Sequence, residues 1–163
     1  MKKMDSYGLK ICGYQAGLFE YAAERTECSS PVFIRRFMNS GLAKRMDSTG
    51  FMYDSTDFAN AMSEIESQYG ESTYGIRKYS AEEMRWIGYI YRYWAYISGL
   101  SSKRLYKAVK PEKLRMLYFP YHSLDPYQVI ERITEETDFP QKDSLAEGVR
   151  ILRKIRSKPR QSK

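Results

Sequence analysis

Histidine occurs once and cysteine twice in this 163-residue chain, at His122, Cys12 and Cys28. So small a set offers no zinc-binding spacing, no CxxC redox pair and no disulfide framework. Cys12 and Cys28 are therefore expected as free, buried thiols in a reducing compartment. No run approaches the ~20 uncharged apolar residues that a membrane-spanning helix needs. The opening residues, MKKMDSYGLK, lack the apolar stretch of a secretory leader, so a cytoplasmic protein with no membrane partner is the expectation. A glycine-rich phosphate loop, a nucleophile elbow and any metal-ligand spacing are also missing, and no cofactor or metal is expected. Strand-like alternation of apolar and polar residues is absent at any length, as is an internal repeat.

What is present is aromatic and basic. Hydrophobic residues make up 42% of the chain and aromatic ones 15%, enough apolar surface to offset the entropy of folding one domain. Fifteen tyrosines outnumber seven phenylalanines, which places hydroxyl groups at the rims of the core, where they reach water or a partner. The net charge of +7 is uneven. From Glu147 onward that one acid faces Arg150, Arg153, Lys154, Arg156, Lys158, Arg160 and Lys163, and the remainder of the chain is nearly balanced. A helical domain over 1–140 and a basic amphipathic helix and tail over 141–163 are expected, the tail able to attract nucleic acid or an acidic partner.

Periodicity and caps predict an all-α, single-domain bundle of about six to seven helices with short loops. Over 5–27, Leu9, Gly13, Ala16, Leu18 and Tyr21 recur at helical spacing behind Asp5 or Ser6 as cap. Ser29, Ser30 and Pro31 open a second helix through Val32, Phe33, Ile34, Phe37 and Met38, because a capping hydroxyl followed by proline uses up amides that the helix leaves unpaired. Gly41 breaks it, with room for a short helical piece over 42–46. Phe58, Met62, Ile65 and Tyr69 form one stripe on a helix over 54–69, and residues 70–79 read as a loop.

Ser80 and Glu83 form a capping box for a helix over 81–98. Met84, Ile87, Tyr91, Trp94 and Ser98 share one face of it, and Trp86, Ile90, Tyr93 and Ile97 widen that face so far that the helix is expected at the centre of the fold. Gly99 supplies a left-handed cap. Ser101 and Ser102, then Pro111, then Asp125 and Pro126 start three further helices, the second bent or ended by Pro120. Ser144 and Glu147 form a last capping box.

Three constellations could carry function. On the central helix, Arg85, Tyr89, Arg92 and Tyr96 form a polar wedge at spacings of four, three and four. Guanidinium planes between phenol rings suit carboxylates, phosphates or bases, so the wedge reads either as a partner-binding stripe or as a solvated face. Arg35 and Arg36 pose the same choice. Helix 81–98, the turn at Gly99 and the following helix also trace a helix-turn-helix outline, in which Ser101, Lys103, Arg104 and Lys107 would meet DNA. Finally, Arg115 and His122 frame six residues. This spacing resembles the Arg-x(4–6)-His motif of HEPN domains, many of them ribonucleases, and implies proton transfer by His122 and phosphate stabilisation by Arg115. The plainer alternative is a histidine closing a helix end.

The segments Trp86-Ile-Gly-Tyr-Ile-Tyr-Arg-Tyr-Trp94, Ser101-Ser-Lys-Arg-Leu-Tyr106, Tyr121-His-Ser-Leu-Asp-Pro126 and Ser30-Pro-Val-Phe-Ile-Arg-Arg-Phe-Met-Asn-Ser40 together give a resemblance to a family. It is a family of small all-α bacterial proteins encoded beside an ADP-ribosyltransferase-like toxin. The resemblance spans roughly residues 5–135 and implies an antitoxin-like or accessory member of a toxin-antitoxin locus, with the toxin as protein partner and no catalytic residue. The leading expectation is thus a non-enzymatic protein that binds a partner through tyrosine and arginine, with a HEPN-like ribonuclease and a helix-turn-helix regulator as alternatives.

Overall fold

The computed structural model describes residues 1–51, 53, 56–137 and 139, which form eight α-helices and no strand. They are α1 (Ser6–Arg25), α2 (Ser30–Met38), α3 (Gly41–Asp47), α4 (Phe58–Tyr69), α5 (Ala81–Ser98), α6 (Ser102–Ala108), α7 (Pro111–Tyr121) and α8 (Pro126–Thr137). The fold is all-α as expected, and the helix count rises above six to seven because the short piece after Gly41 is a helix in its own right, capped by Ser40. Among the described residues no helix is long and apolar enough to cross a membrane. The basic helix and tail expected over 141–163, and the capping box expected at Ser144 and Glu147, lie outside the described residues.

Local chemistry fixes where the helices begin. Side-chain oxygens of Asp5, Ser29, Ser40, Asp57, Ser80 and Ser101 each accept from a backbone amide three residues on. Such a cap contributes about 1 kcal/mol relative to alanine. Ser80 and Glu83 close a reciprocal capping box, and Gly99, at φ 68°, ends α5 in the left-handed conformation. Pro120 lies in the last turn of α7, where its missing N–H deprives the Met116 carbonyl of its helical partner, and the helix stops one residue later. The loop over 70–79 is fastened to the start of α2: Ser29 and Ser30 amides donate to the Tyr74 and Arg77 carbonyls at 3.0 and 2.9 Å.

α1 and α5 run antiparallel as the central pair. Gly8 at the start of α1 sits under the Tyr96 ring near the end of α5, while Gly88 in mid-α5 lies against Phe19 and the Gln15 carbonyl of α1. Phe19 also meets Phe33 and Phe37 of α2 edge-on, with ring centroids 5.5 and 5.0 Å away. α7 and α8 cover another side of α5, through Trp86 against Tyr118 and through Val129, Ile130 and Ile133.

The polar wedge of α5 is not one continuous surface stripe. α1 lies along it, Arg92 bonding Gln15 and Tyr96 covering Gly8, while Arg85, paired with Glu20, stays exposed and Tyr89 half-buried. Arg92 is consequently 1% exposed and belongs to the core. Its Nε donates to Gln15 Oε1 at 2.7 Å, its Nη1 to Asp47 Oδ1 at 2.8 Å and its Nη2 to Ser102 Oγ at 2.9 Å. Ser102 in turn donates its hydroxyl and its amide to the two Asp47 oxygens, and Gln15 Nε2 donates to the Gly88 carbonyl. Burial pulls the guanidinium below its ordinary value against the opposing attraction of Asp47. The cluster ties four helices at one point: α1, the end of α3, α5 and the start of α6.

A Cβ on Gly88 would stand 2.9 Å from the Gln15 carbonyl oxygen, which is backbone and cannot step aside. Gly88→Ala should therefore destabilise the chain by about 1–3 kcal/mol in urea unfolding, despite the higher helix propensity of alanine. An unchanged or raised midpoint would show that α1 and α5 do not meet this closely.

Candidate functional site

Clefts of differing chemistry mark the described surface. One of about 390 Å³ lies at the starts of α3 and α6 and includes Lys44 and Lys103, but its other polar groups are engaged. Ser40 and Ser101 cap their helices, the Gly41 amide donates to Gln68, and Asp47 holds Arg92. A second, of about 170 Å³, lies over Arg92 and Asp47 themselves. The third, of about 320 Å³, opens between α5 and α7 and is lined by Glu82, Arg85, Trp86, Tyr89, Tyr118 and His122.

This third cleft is built by helical spacing. Glu82, Arg85, Trp86 and Tyr89 stand at i, i+3, i+4 and i+7 on α5, so they share one face. Tyr118 and the helix-closing His122 are four apart at the end of α7 and face them. Trp86 meets Tyr118 edge-on at 5.7 Å between centroids, and the His122 ring stacks on Tyr118 at 4.9 Å and 27°. His122 Nδ1 lies 3.1 and 3.0 Å from the carbonyl oxygens of Tyr118 and Phe119. Both neighbours are acceptors, so Nδ1 carries the proton and Nε2 is the nitrogen left to a ligand. Among the described residues Trp86 Nε1, Tyr89 OH, Tyr118 OH, His122 Nε2 and the Glu82 carboxylate have no hydrogen-bond partner. Arg85 gives Nη1 to Glu20 at 2.9 Å. Burial raises the Tyr89 hydroxyl above its ordinary value, so it remains a neutral donor.

The remaining residues singled out from sequence separate. Tyr96 donates to Asp5 at 2.7 Å beneath the Lys2 ammonium, away from Arg85 and Tyr89. Arg35 is exposed, whereas Arg36 donates to the Gly70 carbonyl at 2.6 Å and so fastens the end of α4. Arg115 is not in the cleft with His122. Its Nε donates to Glu83 at 3.0 Å and its guanidinium covers the Tyr79 ring at 4.6 Å, so the arginine beside His122 is Arg85. Of the helix-turn-helix set, Lys103, Arg104 and Lys107 are exposed and Ser101 is the cap, but α6 has only seven residues and its first, Ser102, is buried in the Arg92 cluster.

Glu82, Trp86 and Tyr118 were not singled out, although the i, i+3, i+4, i+7 stripe from Glu82 to Tyr89 is visible in sequence. Both cysteines are buried and unpaired with each other, and burial pushes the Cys12 thiol up to about 12. Among the described residues no group of three His, Cys, Asp or Glu side chains is placed to hold a metal ion. No family model, curated protein or solved structure matches the chain.

Glu83 holds α7 to the start of α5. Burial acts to raise its carboxyl, but the Ser80 amide and the Arg115 guanidinium prevail and bring it below the ordinary 4.5. A depressed carboxyl contributes stability that is complete above 4.5 and lost as pH falls through the folded value. The urea midpoint should fall as pH is lowered from about 5 to about 3, and Glu83→Gln should shrink that fall. An identical pH profile in the variant would show that the Glu83–Arg115 contact does not form in solution.

Proposed function

We propose that the chain is a partner-binding protein of a toxin-antitoxin locus, and that the outward face of α7 is where the partner docks. One observation carries this reading. Met116 and Phe119 are 76% and 84% exposed, three residues apart on a helix whose inner side is already apolar through Leu114, Leu117 and Tyr121. A helix apolar on both sides belongs between two bodies rather than at an edge.

Residue type supports the same reading: methionine and aromatic residues such as Met116 and Phe119 are over-represented at interfaces. The resemblance to proteins encoded beside an ADP-ribosyltransferase-like toxin makes that toxin the partner to test first. Neither the ribonuclease nor the DNA-binding alternative has an observation of equal weight, since Arg115 is engaged by Glu83 and Ser101 is taken up as the cap of the seven-residue α6.

The purified chain should co-elute with the toxin in size-exclusion chromatography. Met116→Asp/Phe119→Asp should weaken the complex by at least about tenfold while leaving the melting temperature of the isolated chain unchanged, because both side chains are in solvent. A wild-type chain that never co-elutes would end the partner reading. A double variant that binds as well as wild type would move the interface off α7.

A further inference from the structure

The cleft between α5 and α7 has a composition that partner docking on the outer face of α7 does not explain. Its walls are aromatic: Trp86 and Tyr89 from α5, with the stacked pair Tyr118 and His122 from α7. Rings held half-buried or exposed in an open cleft present π-faces to a planar ligand, and stacking on such faces is tolerant of which ring arrives. Selection must come from the rim.

The rim is Glu82 and Arg85, three residues apart on α5. Glu82 is exposed and makes no ion pair among the described residues. Arg85 gives one nitrogen to Glu20, which offsets its charge and leaves its other N–H groups as donors. The cleft thus carries one uncompensated negative charge, on Glu82, so a bare phosphate is not what it recognises. It offers instead a two-oxygen acceptor beside a donor.

We propose that this cleft binds a guanine base. The Watson–Crick edge of guanine has two adjacent donors, N1–H and N2–H, which pair in parallel with one carboxylate, and next to them the acceptor O6, which a guanidinium can meet. Adenine and cytosine each place an acceptor beside their amino group, and uracil has a single donor between two acceptors. None of them gives Glu82 two bonds. The base stacks on Trp86; Tyr118, edge-on to that ring at 75° and itself stacked on His122, borders the base, and Glu82 takes the donor edge and Arg85 the carbonyl. The base arrives either as a free guanine nucleotide or within single-stranded RNA. The inference goes beyond partner docking and does not depend on it, because it uses the α5 side of α7.

Tryptophan fluorescence tests it on the full chain. Trp86 lies in the cleft and Trp94 is 2% exposed, so a stacked base quenches Trp86. Titration with GMP should give saturable quenching at an affinity at least about tenfold above AMP, CMP or UMP. Glu82→Gln, at an exposed position, should weaken GMP by about tenfold, whereas Met116→Asp/Phe119→Asp should leave it unchanged. A uridine hexamer with one central guanosine separates the two sources. Affinity above that of GMP and falling steeply with salt identifies RNA, and affinity no higher identifies the nucleotide. Absence of saturable quenching by either GMP or the hexamer, equal affinity for all four bases, or an unchanged Glu82→Gln variant overturns the assignment. Quenching by the toxin and by no nucleotide overturns it too, and gives the cleft to the protein partner.

Discussion

A guanidinium in a protein interior must have its N–H groups met or the fold does not form around it, and Arg92 imposes that constraint here. Gln15, Asp47 and Ser102 meet it from three other helices, and their positions are fixed in turn by one another. The cluster sets the depth at which α1 lies on α5, where α3 ends and where α6 begins. A buried pair of this kind adds little net stability over a well-packed apolar core, since desolvation offsets most of the attraction. It is unforgiving of partial assembly, because any helix out of place leaves a charge without its partner.

The candidate site follows from the same arrangement. α1 packs along the wedge of α5, the apolar faces of α5 meet α6, α7 and α8, and the edge bearing Glu82, Arg85 and Tyr89 remains open to solvent. α7 closes that edge into a cleft, held through Glu83 and Arg115 on one side and the Trp86–Tyr118 contact on the other. The helix that completes the cleft is also the one with apolar residues on its outer side. One element therefore serves two surfaces, a cleft suited to a planar ligand and a face suited to a protein.

The all-α architecture was legible because its signals are local. Ser29 before Pro31, the Ser80 and Glu83 box and Gly99 each act within four residues, and the helices start and stop where those residues say. Where the wedge on α5 would be covered was not legible, because periodicity reveals which residues share a face, not which helix will cover it. Arg92 looked like a surface residue since nothing near it in sequence could satisfy it. Its partners Gln15 and Asp47 lie 77 and 45 positions away. The cleft was half legible: Arg85 and Tyr89 stand out in the polar wedge, while nothing near Glu82 marks it and Trp86 reads as part of the apolar face. Only the approach of Tyr118 and His122 from α7 gives those two residues a different role.

The dependence of the fold on one satisfied guanidinium is tested most directly by a double-mutant cycle on Arg92 and Asp47, read by urea unfolding. Arg92→Met and Asp47→Ala should each cost about 3–5 kcal/mol, and the double variant far less than their sum, since removing both charges leaves neither unpaired. Two single losses that add to within about 0.5 kcal/mol would contradict the account, for they would mean that the two side chains act independently and that no such cluster organises the four helices.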